Sequence, residues 1–303
     1  MDIGQTTAVP SMASGVNMLI EPRLRDIGNL HVRRILPFVR RRMVGPFIFF
    51  DHMGPAVFEA GTGLDVLPHP HIGLATLTYL FEGEIIHRDS LGFVQPILPG
   101  DVNWMTAGLG IVHSERTPSE ARTDGSRLDG IQSWVALPVS EEEREPSFQH
   151  HSASDLPVIE RDGATMRLIA GEAFGSRSPV ETYSKMHYLD VDCRHSASVD
   201  LPADLDERAV YVADGSVSIS GDTYEKGQML VLEDGLDVTL TINSGARLIL
   251  LGGAPMDGER HVWWNFVSSS KEQIERAKNN WANARFPEIP GETEFVPLPD
   301  FGG

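Results

Sequence analysis

The sequence predicts an all-β protein made of two barrels in tandem, closed by a single helix. Three observations carry this. Between Gly73 and His113, short runs of β-branched and aromatic residues alternate with glycine turns, and no helical period runs through them. The rhythm of turn glycine and strand returns between Met186 and Gly252. Only residues 270–284 place apolar side chains at helical spacing. The expected division is an N-terminal barrel over 1–138 and a C-terminal barrel with its helix over 139–303.

Residues 1–18 are small and polar and read as a loose arm. Residues 30–50 read as strands, and Phe47-Ile48-Phe49-Phe50 is an apolar run too short for a helix. Glycines and prolines make 54–68 a loop that leads into Pro68-His69-Pro70-His71-Ile72-Gly73. Strands follow at 74–80 and 85–90 around the turn Glu82-Gly83. A short strand at 94–98 belongs at an edge, because Pro96 removes a ladder donor. Pro99-Gly100-Asp101 is a turn, and 102–106 and 110–113 are strands. Residues 118–127 read as loop and 128–137 as a closing strand.

Residues 138–157, with Glu141-Glu142-Glu143 and His150-His151, read as a polar crossover whose two histidines are solvated. Adjacent side chains on an extended chain point to opposite sides. In the second half, strands are expected at 186–191, 208–213, 216–220, 228–232, 237–242 and 247–252. Its histidines His187, His195 and His261 lie apart, so no metal is expected there. Ser269 with Glu272 gives a capping-box signature for the helix, and Ile274, Ala277 and Trp281 form its apolar stripe. Pro287 and Pro290 end it, and 288–303 reads as an extended tail.

Bulk properties exclude several functions. The 303 residues hold 43 acidic and 25 basic side chains, for a formal charge of −18. Such a chain is repelled by a phosphate backbone or an anionic membrane, so direct nucleic-acid and membrane binding are not expected. The basic cluster Arg33, Arg34, Arg40, Arg41 and Arg42 reads as solvated or paired with the acid surplus. No apolar run is long enough to span a bilayer, and the first residues lack the pattern of a signal peptide. The single Cys193 excludes an intrachain disulfide and fits a reducing, cytoplasmic setting.

The chemistry concentrates between Asp65 and Arg116. Positions i and i+2 of a strand share a face, so His69 with His71, and His113 with Glu115, can each point into a barrel. Two such pairs on neighbouring strands offer three imidazoles and one carboxylate to one transition metal ion. Four protein ligands leave two positions of a six-coordinate metal open, the mark of a catalytic centre. His87 is a candidate to support the ligands from behind. Asp51 and His52, in a turn near the mouth, are candidates for the same role.

The motifs resemble the cupin superfamily, whose first motif holds Gly, His-x-His, a Glu four or five residues on, then Gly. Here His69-x-His71 is followed by Gly83, but the Glu position falls on Ala75 or Thr76. Gly110-x-x-His113 matches the second motif, and Glu115 supplies the carboxylate two residues beyond. That rearrangement resembles the pirin family. So do Tyr79-Leu80-Phe81-Glu82-Gly83, the stretch from Pro99 to Gly108, Gly130-Ile131-Gln132-Ser133-Trp134-Val135 and Trp264-Asn265-Phe266-Val267.

The resemblance implies a bicupin with one Fe2+ in the N-terminal barrel and none in the C-terminal one. It implies a quercetin 2,3-dioxygenase that opens a flavonol-like aromatic with O2 and releases carbon monoxide. Glu115 would be the catalytic base, and Met53, Phe58 or Trp104 would stack on the flat substrate. The alternative it implies is a non-catalytic, redox-sensing regulator that binds a protein partner. The chain is expected to act as a monomer.

Overall fold

Side-chain alternation in the strand Leu74–Glu82 sets up the first barrel. Ala75, Leu77 and Tyr79 join a core that also holds Tyr188, Tyr211 and Ile249 of the second half. Thr78 points the other way, to Glu115. A computed structural model of the chain describes residues 14–27 and 30–300. Within them the chain forms two antiparallel barrels, each pairing a large sheet with a four-stranded one.

In the first barrel a seven-stranded sheet runs in the order Ser147–His151, Val102–Thr106, Leu74–Glu82, Ser126–Ala136, Phe47–Phe58, Leu30–Leu36 and Arg23–Ile27. Its four-stranded partner runs Asp65–His71, Ile111–Arg116, Ile85–Asp89 and Val94–Ile97. Val94–Ile97, which carries Pro96, is indeed an edge. The second barrel has an eight-stranded sheet centred on Glu207–Asp214, Ala246–Gly253 and Met186–Cys193. Its interior is apolar, with Leu168, Leu189, Val191, Cys193, Val210, Leu240 and Leu248 at or near zero exposure.

The two large sheets pack against each other through one buried core. Polar groups caught there are paired, as burial requires. Tyr79 Oη donates to Asp190 Oδ2 at 2.7 Å, and Arg247 Nε donates to Asp190 Oδ1 at 2.8 Å. Ser133 Oγ and Tyr188 Oη lie 2.9 Å apart.

Strands cross between the two halves. Val16–Ile20 pairs with Met229–Leu232 and extends the second barrel's sheet, with Val16 and Ile20 buried. This overturns the loose arm expected over 1–18 for its described part; residues 1–13 lie outside the described residues. Conversely, Ser147–His151 pairs with Val102–Thr106 in the first barrel. The stretch read as a polar crossover therefore contains a strand. His150 is half-buried rather than solvated, and its Nδ1 hydrogen-bonds Asn103 Oδ1 at 2.8 Å.

Other differences are local. Phe47–Phe58 runs through Gly54-Pro55 as one bent strand, and Asp65–His71 begins early, so the expected loop at 54–68 shrinks. Ser119–Asp124 is a short helix inside the expected loop 118–127. Val158–Arg161, Ala164–Ala173, Ala197–Leu201 and Asp222–Glu225 are further strands, in stretches where the sequence predicts none.

The helix expected at 270–284 spans Lys271–Ala282. Its cap is Ser270 rather than Ser269: Gln273 N donates to Ser270 Oγ at 3.3 Å. Ser269 instead donates through N and Oγ to the buried Glu142 at 2.8 and 2.9 Å. The stripe residues Ile274 and Ala277 pack with Ile72 and Phe266, which brings the C-terminus onto the first barrel. Gly73 is required at this contact. Its φ is +66°, and a Cβ there would lie 2.0 Å from Val267 O. No helix among the described residues is long and apolar enough to cross a membrane.

Candidate metal centre

Strand register brings the histidines together. In the pairing of Ile111–Arg116 with Asp65–His71, His113 lies directly opposite His69 and Ile111 opposite His71. On its other side the same strand sets Glu115 opposite His87 and His113 opposite Asp89. All these side chains are buried. Glu115 comes to His87 through this regular pairing, while the register shift in the pairing with Asp65–His71 inserts an extra residue between His69 and Val66.

Two overlapping groups result. His69, His71 and His113 each offer a ligand atom within 4.8 Å of the others, and so do His87, His113 and Glu115. Among the described residues these are the groups suited to a metal ion, and both lie in the first barrel. The arrangement differs from the expected single point of four donors: Glu115 belongs to the adjoining group, where its Oε1 accepts from Thr78 Oγ1 at 2.8 Å.

The hydrogen bonds define which nitrogens are free. His69 Nδ1 donates to Leu67 O at 2.8 Å, and His71 Nδ1 donates to Asn265 O at 3.1 Å. Both Nε2 atoms are left with their lone pairs. His71 Nε2 lies 3.1 Å from His113 Nε2. Behind His113, its Nδ1 approaches His87 Nδ1 at 3.4 Å, and His87 Nε2 donates to Asp89 Oδ2 at 3.0 Å. Asp89 is fixed in turn by the N–H groups of Leu91 and Phe93 at 2.9 and 3.1 Å. Each candidate ligand thus has a partner that sets its tautomer and ring plane.

Burial keeps these imidazoles neutral. It holds His69 down to about 4 and His71 and His113 well below the ordinary histidine value, with the neighbouring histidines adding to the effect. Burial also raises Glu115, against the opposing pull of His87 and the Thr78 hydrogen bond. Neutral imidazoles with converging lone pairs and a nearby carboxylate form a donor set that fits a divalent transition metal.

The group opens into a cavity of about 720 Å³. Asp51 and His52 are adjacent on Phe47–Phe58, so they part. Asp51 lines the cavity and binds Arg34 in a side-on pair, at 2.9 Å from Nε and 2.8 Å from Nη2. His52 faces the other barrel, bonded to Tyr211 Oη and Asp129 Oδ1, each at 2.7 Å. The expected place of His52 beside the ligands is therefore corrected, and no hydrogen bond joins Asp51 to the histidine group.

Met53 does line the cavity. Trp104 lies in the core between the barrels, its Nε1 donating to Thr106 Oγ1, and Phe58 is buried in a separate apolar cluster. The aromatic walls are instead Phe49, Trp134 and Trp264, with Asn265 beside them. Strand parity points to two of these: Phe49 shares a face with Asp51, and Trp134 with Gln132.

The sequence matches the family description "Pirin" over residues 29–135 and "Pirin C-terminal cupin domain" over residues 188–287. A "Pirin-like protein" of Caulobacter vibrioides is 49% identical over 290 residues, covering 94% of this chain and all of its own. A crystal structure of quercetin 2,3-dioxygenase from Acinetobacter baumannii superposes with a TM-score of 0.87 at 36% identity, covering 93% of this chain and 94% of that one. The bacterial pirin YhhW of Escherichia coli, solved in complex with nickel(II), shares the fold at a TM-score of 0.63 and 21% identity, over 79% of this chain and 99% of its own. With both barrels matched in order along the chain, the protein is a member of the pirin family.

Proposed function

We propose that the protein is an iron-dependent dioxygenase of the quercetin 2,3-dioxygenase type, acting with O2 on a hydroxylated aromatic. The observation that carries this is the buried, neutral trio His69, His71 and His113 beside Glu115, opening into a cavity walled by aromatic side chains. The likeness to the Acinetobacter quercetin 2,3-dioxygenase supports it.

His69, His71 and His113 would hold the ion through Nε2, with Glu115 turning from Thr78 to complete the set. A bound ferrous ion supplies Lewis acidity and redox contact with O2. The protein's own residues do the rest. Leu67 O, Asn265 O and His87 keep the imidazoles aimed. Glu115 takes the substrate's hydroxyl proton, and its burial strengthens its hold on that proton. Trp134 and Phe49, stacked on each other at 4.1 Å, give the substrate ring a fixed apolar surface along the cavity.

Metal analysis of protein purified without chelator, followed by anaerobic iron loading and oxygen uptake with quercetin, tests this reading. We expect about one ion per chain, its loss in His69→Ala and His113→Ala, and oxygen uptake that collapses in Glu115→Gln. Full iron occupancy without uptake would sink the enzyme reading. It would favour a regulator, for which one observation speaks: His87 stacks on Phe148 at 4.5 Å, and Phe148 contacts the half-exposed Phe93, so the histidine group reaches the surface.

A further inference from the structure

The cavity has a built wall that ends in a cation. His71 meets the Trp134 ring edge-on at 5.1 Å, Trp134 stacks on Phe49, and the Arg34 guanidinium lies 4.5 Å above the Phe49 ring. All four line the same cavity. A planar ligand lying along this wall, with one end at the histidine group, presents its other end to Arg34.

Arg34 is the only cation lining the cavity among the described residues, whereas Asp26, Asp51, Asp65 and Glu115 are its acids. Its Nε and Nη2 are committed to Asp51, whose carboxylate is fully buried. The pairing fixes the guanidinium plane and leaves Nη1, with two N–H donors, uncommitted among the described residues. It also neutralises the charge. A guanidinium already paired with a buried carboxylate favours an uncharged acceptor over a second anion.

We propose that Arg34 is the specificity-determining residue at the far end of the cavity, donating from Nη1 to a neutral hydroxyl or carbonyl oxygen of a planar aromatic ligand, and that its pairing with Asp51 excludes aromatic carboxylates. This rests on the proposed reading of the cavity as an aromatic substrate site. It deepens that reading by naming which end groups are accepted.

The test is titration calorimetry under nitrogen with the metal-loaded full chain and three probes: quercetin, 3-hydroxyflavone and 3-hydroxyflavone-4′-carboxylate. Wild type should bind quercetin most tightly, 3-hydroxyflavone next and the carboxylate least. In Arg34→Met/Asp51→Asn, which keeps the packing without an unpaired buried charge, quercetin's advantage over 3-hydroxyflavone should shrink about tenfold, the loss expected of one hydrogen bond to a charged group. In Asp51→Asn alone, Arg34 regains its net charge and the carboxylate should gain about tenfold. Affinity ratios within about twofold of wild type in both variants overturn the role of Arg34 while leaving the aromatic cavity standing. A wild type that binds none of the three overturns both.

Discussion

Replacing His87 with Phe isolates the support behind the candidate ligand His113. The new ring keeps the stack on Phe148, so no cavity opens and the cost is confined to polar contacts. Two are lost: the 3.0 Å donation from Nε2 to Asp89 and the 3.4 Å approach of Nδ1 to His113. The second is long and contributes little. The first leaves Oδ2 of a fully buried carboxylate without its donor, a loss of about 2 kcal/mol. With an unfolding entropy of roughly 0.6 kcal/mol/K at this chain length, the metal-free protein should melt about 3 °C lower.

The metal should be affected separately. With its Nδ1 partner gone, His113 can turn or change tautomer, and affinity should fall about 10–100-fold. Competition against a chromophoric chelator for nickel(II) or anaerobic Fe2+ measures this. In His87→Phe/Asp89→Asn the buried charge is removed, so the melting temperature should recover while the affinity stays low. A metal affinity within about twofold of wild type, in folded His87→Phe protein, would refute the role of His87 as a support.

Metal itself should stabilise the fold: at a free concentration 100 times the dissociation constant the gain is about 2.7 kcal/mol, and chelator treatment followed by calorimetry should remove it. His187, buried in the second barrel, is held down to about 4 by burial and by Arg208. The unfolded chain therefore takes up a proton that the folded one refuses. Stability due to His187 is complete above pH 6.5 and falls as pH drops toward 4, by about 3 kcal/mol in all. A His187→Asn variant followed by urea unfolding between pH 7.5 and 4 should show a shallower acid loss than wild type. Glu142→Gln breaks a buried pair with Arg260 and weakens the grip on Ser269, for a loss of about 3–5 kcal/mol. It should also weaken metal binding, because the segment it anchors carries Asn265 O to His71, and parallel melting and chelator titrations read both effects.

The parts of this fold legible in the sequence are those governed by local rules. Glycine turns and period-2 runs mark the strands from Leu74 to His113, and the same parity puts His69, His71, His113 and Glu115 on an inner face. Parity also separates Asp51 from His52 once the strand is known to continue, but Gly54-Pro55 disguises that continuation. What stayed hidden depends on contacts distant in sequence. Asn265 reaches His71 across 194 positions, and the register that sets Glu115 opposite His87 arises in strand pairing rather than in any motif. Trp104 reads as a substrate wall by composition alone; it is a core residue because its side of the strand faces the second barrel.

The crossing of Val16–Ile20 into one barrel and Ser147–His151 into the other bears on how the gene can be divided. A cut near residue 138 yields two fragments, each carrying a strand that belongs to the other. The first would expose the edge of Val102–Thr106, and the second that of Met229–Leu232. Bare edges of this kind recruit other chains, so such fragments should aggregate rather than fold. Intact, the chain is fastened at both ends and should unfold as one unit, so an ion bound among His69, His71 and His113 raises the melting temperature of both barrels at once.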